Sequence, residues 1–310
     1  MEEWEPVPIK RQRHDLRALE EALESSKNWE FTENDLGDFK IDAKQVTLDK
    51  SGKACPAFPF FTPSQAKHLP AINEKRMAME FPTYDPTPVQ YGPSRPMERA
   101  RASSFYFLGY VSLCSTDLKE EEKGQWSSKD EIDYDFHLDL LEMKPHEWEV
   151  IWISDIIDSQ EYPHLLSFLI YDIDGNPRRL LRGELLVIIR LMRGQLETVQ
   201  FQAFAKAPIL LFSFMGPQRA RILHAYFEDD GTLVVRYTRF YDFKTRNDEE
   251  MEILARWALA EPTGDTKEFG SDGRRILGNS GLEYGLADKS ALLRGGHVMA
   301  KSFYVEILSS

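Results

Sequence analysis

Three β-rich runs broken by turn residues form the clearest pattern of apolar positions in the chain. They cover Ile209 to Met215, Arg219 to Phe227 and Thr232 to Tyr241, with Gly216-Pro217 and Asp229-Asp230-Gly231 between them. Short apolar runs joined by turn residues are typical of antiparallel strands that follow one another in sequence. We therefore predict a three-stranded meander over this part of the chain.

A helix is predicted on each side of the meander. Glu184 to Glu197 is apolar around most of its circumference, and a helix of this kind must be largely buried. After the meander, Asn247 followed by Glu250 has the spacing of a capping box, and Asp248 and Glu249 complement the helix dipole. That second helix is amphipathic and ends before Pro262.

The N-terminal third has a different character. Lys10 to Ser26 carries leucines at helical spacing and predicts a short amphipathic helix. Residues 51–97 hold nine prolines, which favour an extended and irregular chain. The same stretch is rich in phenylalanine and tyrosine, so we expect an arm that lies along the body and buries rings at intervals.

We predict two regions, an N-terminal helix and arm over 1–102 and an α+β body over 103–310. Further strands are expected at Phe105–Leu113, Trp148–Ile153 and Leu165–Tyr171, and a last one at 302–308. Residues 263–296 contain eight glycines and predict a long loop region. Because helices and strands are grouped rather than alternating, the fold class is α+β with a mainly antiparallel sheet, flanked by the buried apolar helix and the capped amphipathic helix.

Charge is unevenly distributed along these elements. The chain has a net charge of −13, yet Arg178 to Arg246 holds 12 Lys and Arg against 6 Asp and Glu. The acidic flanks could pack against this basic segment and neutralise it. Alternatively, the segment could contact an anion or a partner through four arginines of the meander: Arg219, Arg221, Arg236 and Arg239.

Besides the arginines of the meander, the sequence offers a second candidate functional site, for a metal ion. Asp133, Asp135, His137 and Asp139 alternate with apolar residues, so they share one face of a predicted strand, and carboxylates and imidazole suit a divalent cation. A complete site would need further ligands, for which Glu184 is the candidate. The alternative is a solvated acidic face.

The order helix, three strands, helix is also that of the PD-(D/E)XK nuclease core. Glu184 and Asp242-Phe243-Lys244 superficially resemble its catalytic set. The second acidic residue of that set would lie near Gln218-Arg219-Ala220, where there is none, and this counts against a nuclease.

The remaining sequence features limit the cellular compartments and the kinds of reaction to be considered. The chain lacks a signal-peptide pattern, a bilayer-length apolar run and the common nucleotide-binding and hydrolase motifs. Only Cys55 and Cys114 are present, and both are expected to be small hydrophobes rather than nucleophiles, as His224 is expected to be packed. We expect a cytoplasmic protein, with the nucleus as the alternative, and no membrane partner. No cofactor is expected unless the acidic strand holds a divalent metal.

The sequences of Met215–Phe227 and Phe240–Asp248 resemble those of a group of uncharacterised proteins of filamentous ascomycete fungi. The resemblance covers about residues 180–260. It implies a lineage-restricted intracellular protein and transfers no reaction or site residue.

Three hypotheses of function follow. The first is a non-enzymatic binding or scaffolding protein with a protein partner, for which nucleic acid is the less favoured ligand. The second is a metal-dependent hydrolase of phosphodiester bonds. The third is an accessory protein of a fungal pathway with a small-molecule pocket over the sheet.

Overall fold

A nine-stranded β-sheet with helices on both faces organises the protein in the computed structural model, which describes residues 7–49, 53, 55–86, 95–119, 125–129, 140–156 and 161–267. The helices are α1 Val7–Ser25, α2 Glu33–Gly37, α3 Glu74–Met77, α4 Pro96–Asp117, α5 Arg182–Glu197 and α6 Asp248–Ala258. A 3-10 turn, Val199–Phe201, follows α5.

The strands are β1 Glu30–Phe31, β2 Ile41–Val46, β3 Phe61–Thr62, β4 Trp126–Lys129, β5 Leu141–Glu142, β6 Trp148–Ile156, β7 Leu165–Asp174, β8 Leu180–Leu181, β9 Ile209–Gly216, β10 Arg219–Phe227, β11 Leu233–Thr238, β12 Tyr241–Asp242 and β13 Glu261–Pro262. The main sheet has the order β2-β11-β10-β9-β7-β6-β4, with β12 beside β10 and β5 beside β6.

The α+β class is confirmed, and the main sheet is mixed, with mostly antiparallel pairs. The strands β9, β10 and β11 pair antiparallel in sequence order, as the meander pattern predicts. Two pairs are parallel, β7 with β9 and β2 with β11. The first of these needs a crossover between strands that point the same way, and α5 supplies it.

One face of the sheet is covered by α5 and α1. The predicted apolar helix is almost entirely buried, and its side chains join those of α1 and the odd-numbered positions of β7 and β9 in one core cluster. In α1, Leu16, Leu19 and Leu23 form the buried stripe. The strand β9 is buried at every position because both faces of the sheet are covered, which explains its continuous apolar run.

The other face is covered by α4 and α6. Phe107 of α4 lies 5.8–6.1 Å, centroid to centroid, from three sheet rings, those of Phe168, Phe212 and Phe214. Asn247 caps α6 by accepting a hydrogen bond from the backbone N–H of Glu250, as predicted.

The prediction of a strand at Phe105–Leu113 is wrong, because these residues lie within the 22-residue helix α4. The run is aromatic and apolar at positions of both strand parities, so its period does not separate a buried helix from a buried strand. Pro96 at the first turn favours a helix start, and ten side chains of α4 are buried.

The proline-rich arm contains a segment that we call the aromatic strap, residues 55–66. Its phenylalanines Phe58, Phe60 and Phe61 are buried, whereas Phe81 and Tyr84 further along the arm are half-buried. The strap pairs through β3 with β13 and does not pair with the main sheet.

The N-terminal region also supplies β2, which pairs with β11 at one end of the main sheet. The predicted boundary between residues 102 and 103 falls inside α4. The division into an arm and a body stays a prediction. The predicted strand that carries Asp133 to Asp139, the predicted strand at 302–308 and nearly all of the predicted loop at 263–296 lie outside the described residues.

Within the described part of the chain, none of the helices combines the length and the apolar character needed to span a bilayer.

The ring cluster around Phe107 should make a large contribution to stability. Phe107→Ala leaves a cavity against three sheet rings, and we expect the free energy of unfolding to fall by about 3–5 kcal/mol. Thr116→Ala, at an exposed position of the same helix, should change it by less than about 0.5 kcal/mol. Urea unfolding of both variants measures the difference, and equal losses would contradict the assigned packing.

Candidate functional site

A buried ion pair joins the start of α5 to β10. Both Glu184 and Arg221 have fully buried side chains. The Nε of Arg221 donates to Oε1 of Glu184 at 2.8 Å, and one terminal nitrogen of the guanidinium donates to Oε2. The other terminal nitrogen donates to the carbonyl of Arg179 at 2.9 Å. The guanidinium therefore makes the two-pronged contact that is strongest for arginine and carboxylate.

The carboxylate of Glu184 has a second task at the helix N-terminus. Its Oε2 accepts a hydrogen bond of 2.8 Å from the backbone N–H of Leu181. A buried phenol lies beside this turn, because the N–H of Gly183 donates to the Tyr171 hydroxyl at 3.3 Å. A β-carbon on Gly183 would lie 2.7 Å from the rings of Trp148 and Tyr171, so only glycine permits this approach.

Aromatic rings line the arginine. The guanidinium carbon of Arg221 lies 5.6 Å from the ring centre of Tyr237 and 5.0 Å from that of Phe240. Cation–π attraction of this kind is stronger where water is excluded. Burial raises the pKa of Tyr237 to about 12, which keeps that phenol uncharged beside the ion pair.

Among the predicted metal ligands, Glu184 alone lies within the described residues. Asp133, Asp135, His137 and Asp139 lie outside the described residues, so their distance from Glu184 is not defined. Glu184 itself directs its oxygens at Arg221 and at the N–H of Leu181. Within the described ranges, no three side chains of His, Cys, Asp or Glu converge as a metal ion would require. The metal site stays a prediction.

The four candidate arginines of the meander each contact a carboxylate of the same chain. Besides Arg221, the partners are Asp242 for Arg219 at 3.5 Å, Asp42 for Arg236 at 2.7 Å and Glu250 for Arg239 at 2.7 Å. They do not share one surface, since Arg221 is fully buried whereas half of the Arg239 side chain is exposed. Their contact with an external anion or partner stays a prediction.

Half of the basic residues of the segment 178–246 pair with carboxylates of the acidic flanks, in accord with the first of the two explanations for its charge. Carboxylates of the N-terminal region and of α6 contact it in the pairs Glu20 with Arg190 and Arg193, Glu24 with Arg190, Glu30 with Arg179, Asp42 with Arg236, Glu74 and Asp248 with Arg246, and Glu250 with Arg239. Acidic and basic parts of the sequence thus hold each other in the fold.

Arginines of α1 likewise meet negative charge at the C-terminal end of α5, where part of that charge comes from the helix dipole. The guanidinium of Arg13 donates to the carbonyl of Leu196 at 2.8 Å, where the helix carries partial negative charge. Arg17 pairs with Glu197 at 2.9 Å. These contacts fix α1 antiparallel to α5.

A histidine–aromatic cluster lies beneath the strap and was not predicted. His224 is buried, as expected of a packed histidine, but its neighbour in the cluster, His164, carries no local signal in the sequence. Phe60 and Phe61 contact both imidazoles and Phe58 contacts that of His224, each from more than a hundred residues away in the chain. Only the three-dimensional contacts bring these groups together.

Neither cysteine is bonded in a disulfide. Cys114 is fully buried on α4, and burial raises the pKa of its thiol to about 12, which opposes the thiolate form that a nucleophile needs. Cys55 is half-buried at the start of the strap. Cys114 thus behaves as the small hydrophobe that we predict.

The Glu184–Arg221 pair can be tested with a double-mutant cycle. Glu184→Gln or Arg221→Met strands one buried charge, so each should lower the free energy of unfolding by about 3–5 kcal/mol. The combined variant should lose clearly less than the sum, because no charge is left unpaired. Denaturant unfolding at neutral pH measures all four proteins.

The pair of Arg239 with Glu250 provides a matched control, because 51% of the Arg239 side chain is exposed. Arg239→Met should cost less than about 1 kcal/mol. Additive losses at Glu184 and Arg221, or losses as small as that of the control, would contradict the buried pair.

Comparison with known proteins does not name a family for this chain. No family model, curated protein or solved structure matches it. The resemblance to uncharacterised ascomycete proteins stays a prediction. The contacts of the chain's own residues are therefore the basis for its proposed function.

Proposed function

We propose that this is a non-enzymatic binding or scaffolding protein that holds a basic protein partner. The observation that carries the proposal is the internal pairing of the basic segment, from the buried Arg221 to the half-exposed Arg239. An internal ion pair removes one charge of each sign. The net charge of −13 is therefore carried by carboxylates outside these pairs, and such a field attracts a positively charged partner.

The contact surface that we propose lies at β5, beside β6 and away from the meander. Leu141 lies in β5 and Met143 directly follows it, with 39% and 75% of their surface exposed. Val199 is the one other large apolar side chain so exposed among the described residues. Exposed apolar side chains on a short edge strand are a common starting point for protein contacts. We propose that a basic segment with apolar side chains binds there.

The engagement of Glu184 favours this function over a phosphodiester hydrolase. As a metal ligand, Glu184 would have to release Arg221 and the N–H of Leu181, which would leave a buried cation without its partner. Such a loss is costly in a protein interior. A binding function asks no such rearrangement of the core.

A thermal-shift series separates the two functions. We expect the unfolding temperature to be unchanged by Mn²⁺, Mg²⁺, Ca²⁺ or a short single-stranded oligonucleotide, each compared with EDTA. A ligand of the native state at a hundred times its Kd would add about 2.7 kcal/mol, which is easily detected. A metal-dependent rise that disappears in the Asp133→Asn and Asp135→Asn double variant would overturn the proposal in favour of the hydrolase.

The contact surface is tested by placing a positive charge on it. In quantitative cross-linking from cell extract, Met143→Lys should reduce recovery of a basic partner by about tenfold, since it places like charge at a desolvated contact. Val199→Lys changes an apolar residue elsewhere that is at least as exposed, and it should leave recovery unchanged. Equal recovery with both variants would exclude β5 as the contact.

A further inference from the structure

Two fully buried histidines lie beneath the aromatic strap, on the sheet face that carries α6. His164 directly precedes β7, and His224 lies within β10. The ring of Phe58 stacks on His224 with 5.0 Å between centroids and 23° between planes. Phe61 meets both imidazoles edge to face, at 5.5 Å from His224 and 5.2 Å from His164. The strap therefore supplies much of the environment of both rings.

Three of the four imidazole nitrogens have no hydrogen-bond partner. These are Nδ1 and Nε2 of His224 and Nδ1 of His164. The fourth, Nε2 of His164, lies 3.0 Å from the carbonyl oxygen of Thr263 and so donates its hydrogen there. A neutral imidazole can be buried in this way, whereas an imidazolium would carry a charge into a site without water. The backbone groups of Thr263 and Phe60 favour the charged form of His164, but burial outweighs them and lowers its pKa.

The cations nearest the cluster are already paired with carboxylates. Arg236 is the cross-strand neighbour of His224 and pairs with Asp42. The other ionisable groups around the two rings are Lys206, which pairs with Glu228; Arg256 of α6, which pairs with Glu252; the phenols Tyr162 and Tyr226; and the exposed Glu161 and Glu261. The carboxylates of Asp42, Glu228 and Glu252 are each engaged by one of these cations.

The strap packs its rings on the main sheet, but its strand pairing is with β13 and not with a strand of that sheet. The N–H of Ser64 donates to the carbonyl of Arg256 at 2.8 Å, and the N–H of Thr263 donates to the carbonyl of Phe60 at 3.0 Å. The Arg256 guanidinium donates to the carbonyls of Ser64 and Ala66. Detachment of the strap would break these contacts and leave the pairing of β7, β9 and β10 intact.

We propose that the aromatic strap and the two histidines form an acid-operated latch, in which protonation of His164 and His224 releases the strap from the sheet and uncovers the surface around Trp257 and Tyr226. The latch is a reversible proton-binding switch. Its closed form requires neutral imidazoles, and its open form gives both rings access to water.

The direction of the response follows from the proton affinities. Desolvation lowers the pKa of His164 from 6.5 to about 4 and that of His224 from 6.5 to about 3. The open form, with solvated rings, therefore binds more protons than the closed form. Closure is fully favoured above pH 6.5 and weakens as the pH falls from 6.5 towards 4.

Hydrogen exchange measured by NMR tests the latch in the full chain. Between pH 7 and pH 5, each histidine should raise the opening constant of the strap about 20-fold, and the pair several hundred-fold. The readout is the protection of the Ser64 and Thr263 amides, corrected for the intrinsic exchange rate at each pH. Amides of the β7–β9 pair serve as the internal reference and should change much less.

Variants separate this effect from general acid destabilisation. His224→Phe, which suits an aromatic environment, should reduce the pH response of the strap amides to about 20-fold, whereas His14→Gln at an exposed site should leave it unchanged. A wild-type response no larger than that of the reference amides, or an unchanged response in His224→Phe, would overturn the latch. If that variant fails to fold, the imidazole C2–H titration in the wild type decides, because titration near pH 6.5 with the strap closed contradicts it.

Discussion

The buried contact between Glu184 and Arg221 is the interaction on which the rest of the structure depends. It ties the crossover helix α5 to the strand β10, and the same carboxylate closes the first turn of that helix. Because a buried charge must be matched, this contact specifies how helix and meander fit together in a way that apolar packing alone does not. The aromatic rings of Tyr237 and Phe240 then exclude water from the arginine.

The same rule extends outward from this contact. Acidic side chains of α1, β2 and α6 meet the arginines that follow residue 178, so distant parts of the chain are matched by charge as well as by apolar area. The pairs become more exposed, and individually weaker, with distance from the core. What is left for the exterior is the acidic excess. That division of charge, internal for the arginines and external for the carboxylates, leads from the fold to the proposed basic partner.

Patterns within single segments of the sequence predicted the helices and strands whose conformation depends on residues close together in the chain. The turn residues predicted the meander, the apolar circumference predicted the buried helix α5, and Asn247 predicted the start of α6. The helix α4 could not be predicted in the same way, because Phe105–Leu113 is apolar at both strand parities and buries its rings on several sides. The strand β2 has only Ile41 and Ala43 as buried positions and takes its conformation from β11. The histidine cluster joins residues near 60, 164 and 224, and no spacing in the sequence encodes such a contact.

The most direct test of this account is hydrogen exchange at the guanidinium of Arg221, followed by NMR of nitrogen-labelled protein. If the arginine is buried and bound on three sides, its Nε–H should exchange orders of magnitude more slowly than that of Arg239, which is half exposed. Its protection should approach that of the β10 amides. Exchange at the rate of an exposed arginine would show that Arg221 is open to solvent. That result would contradict the buried pair of Glu184 and Arg221.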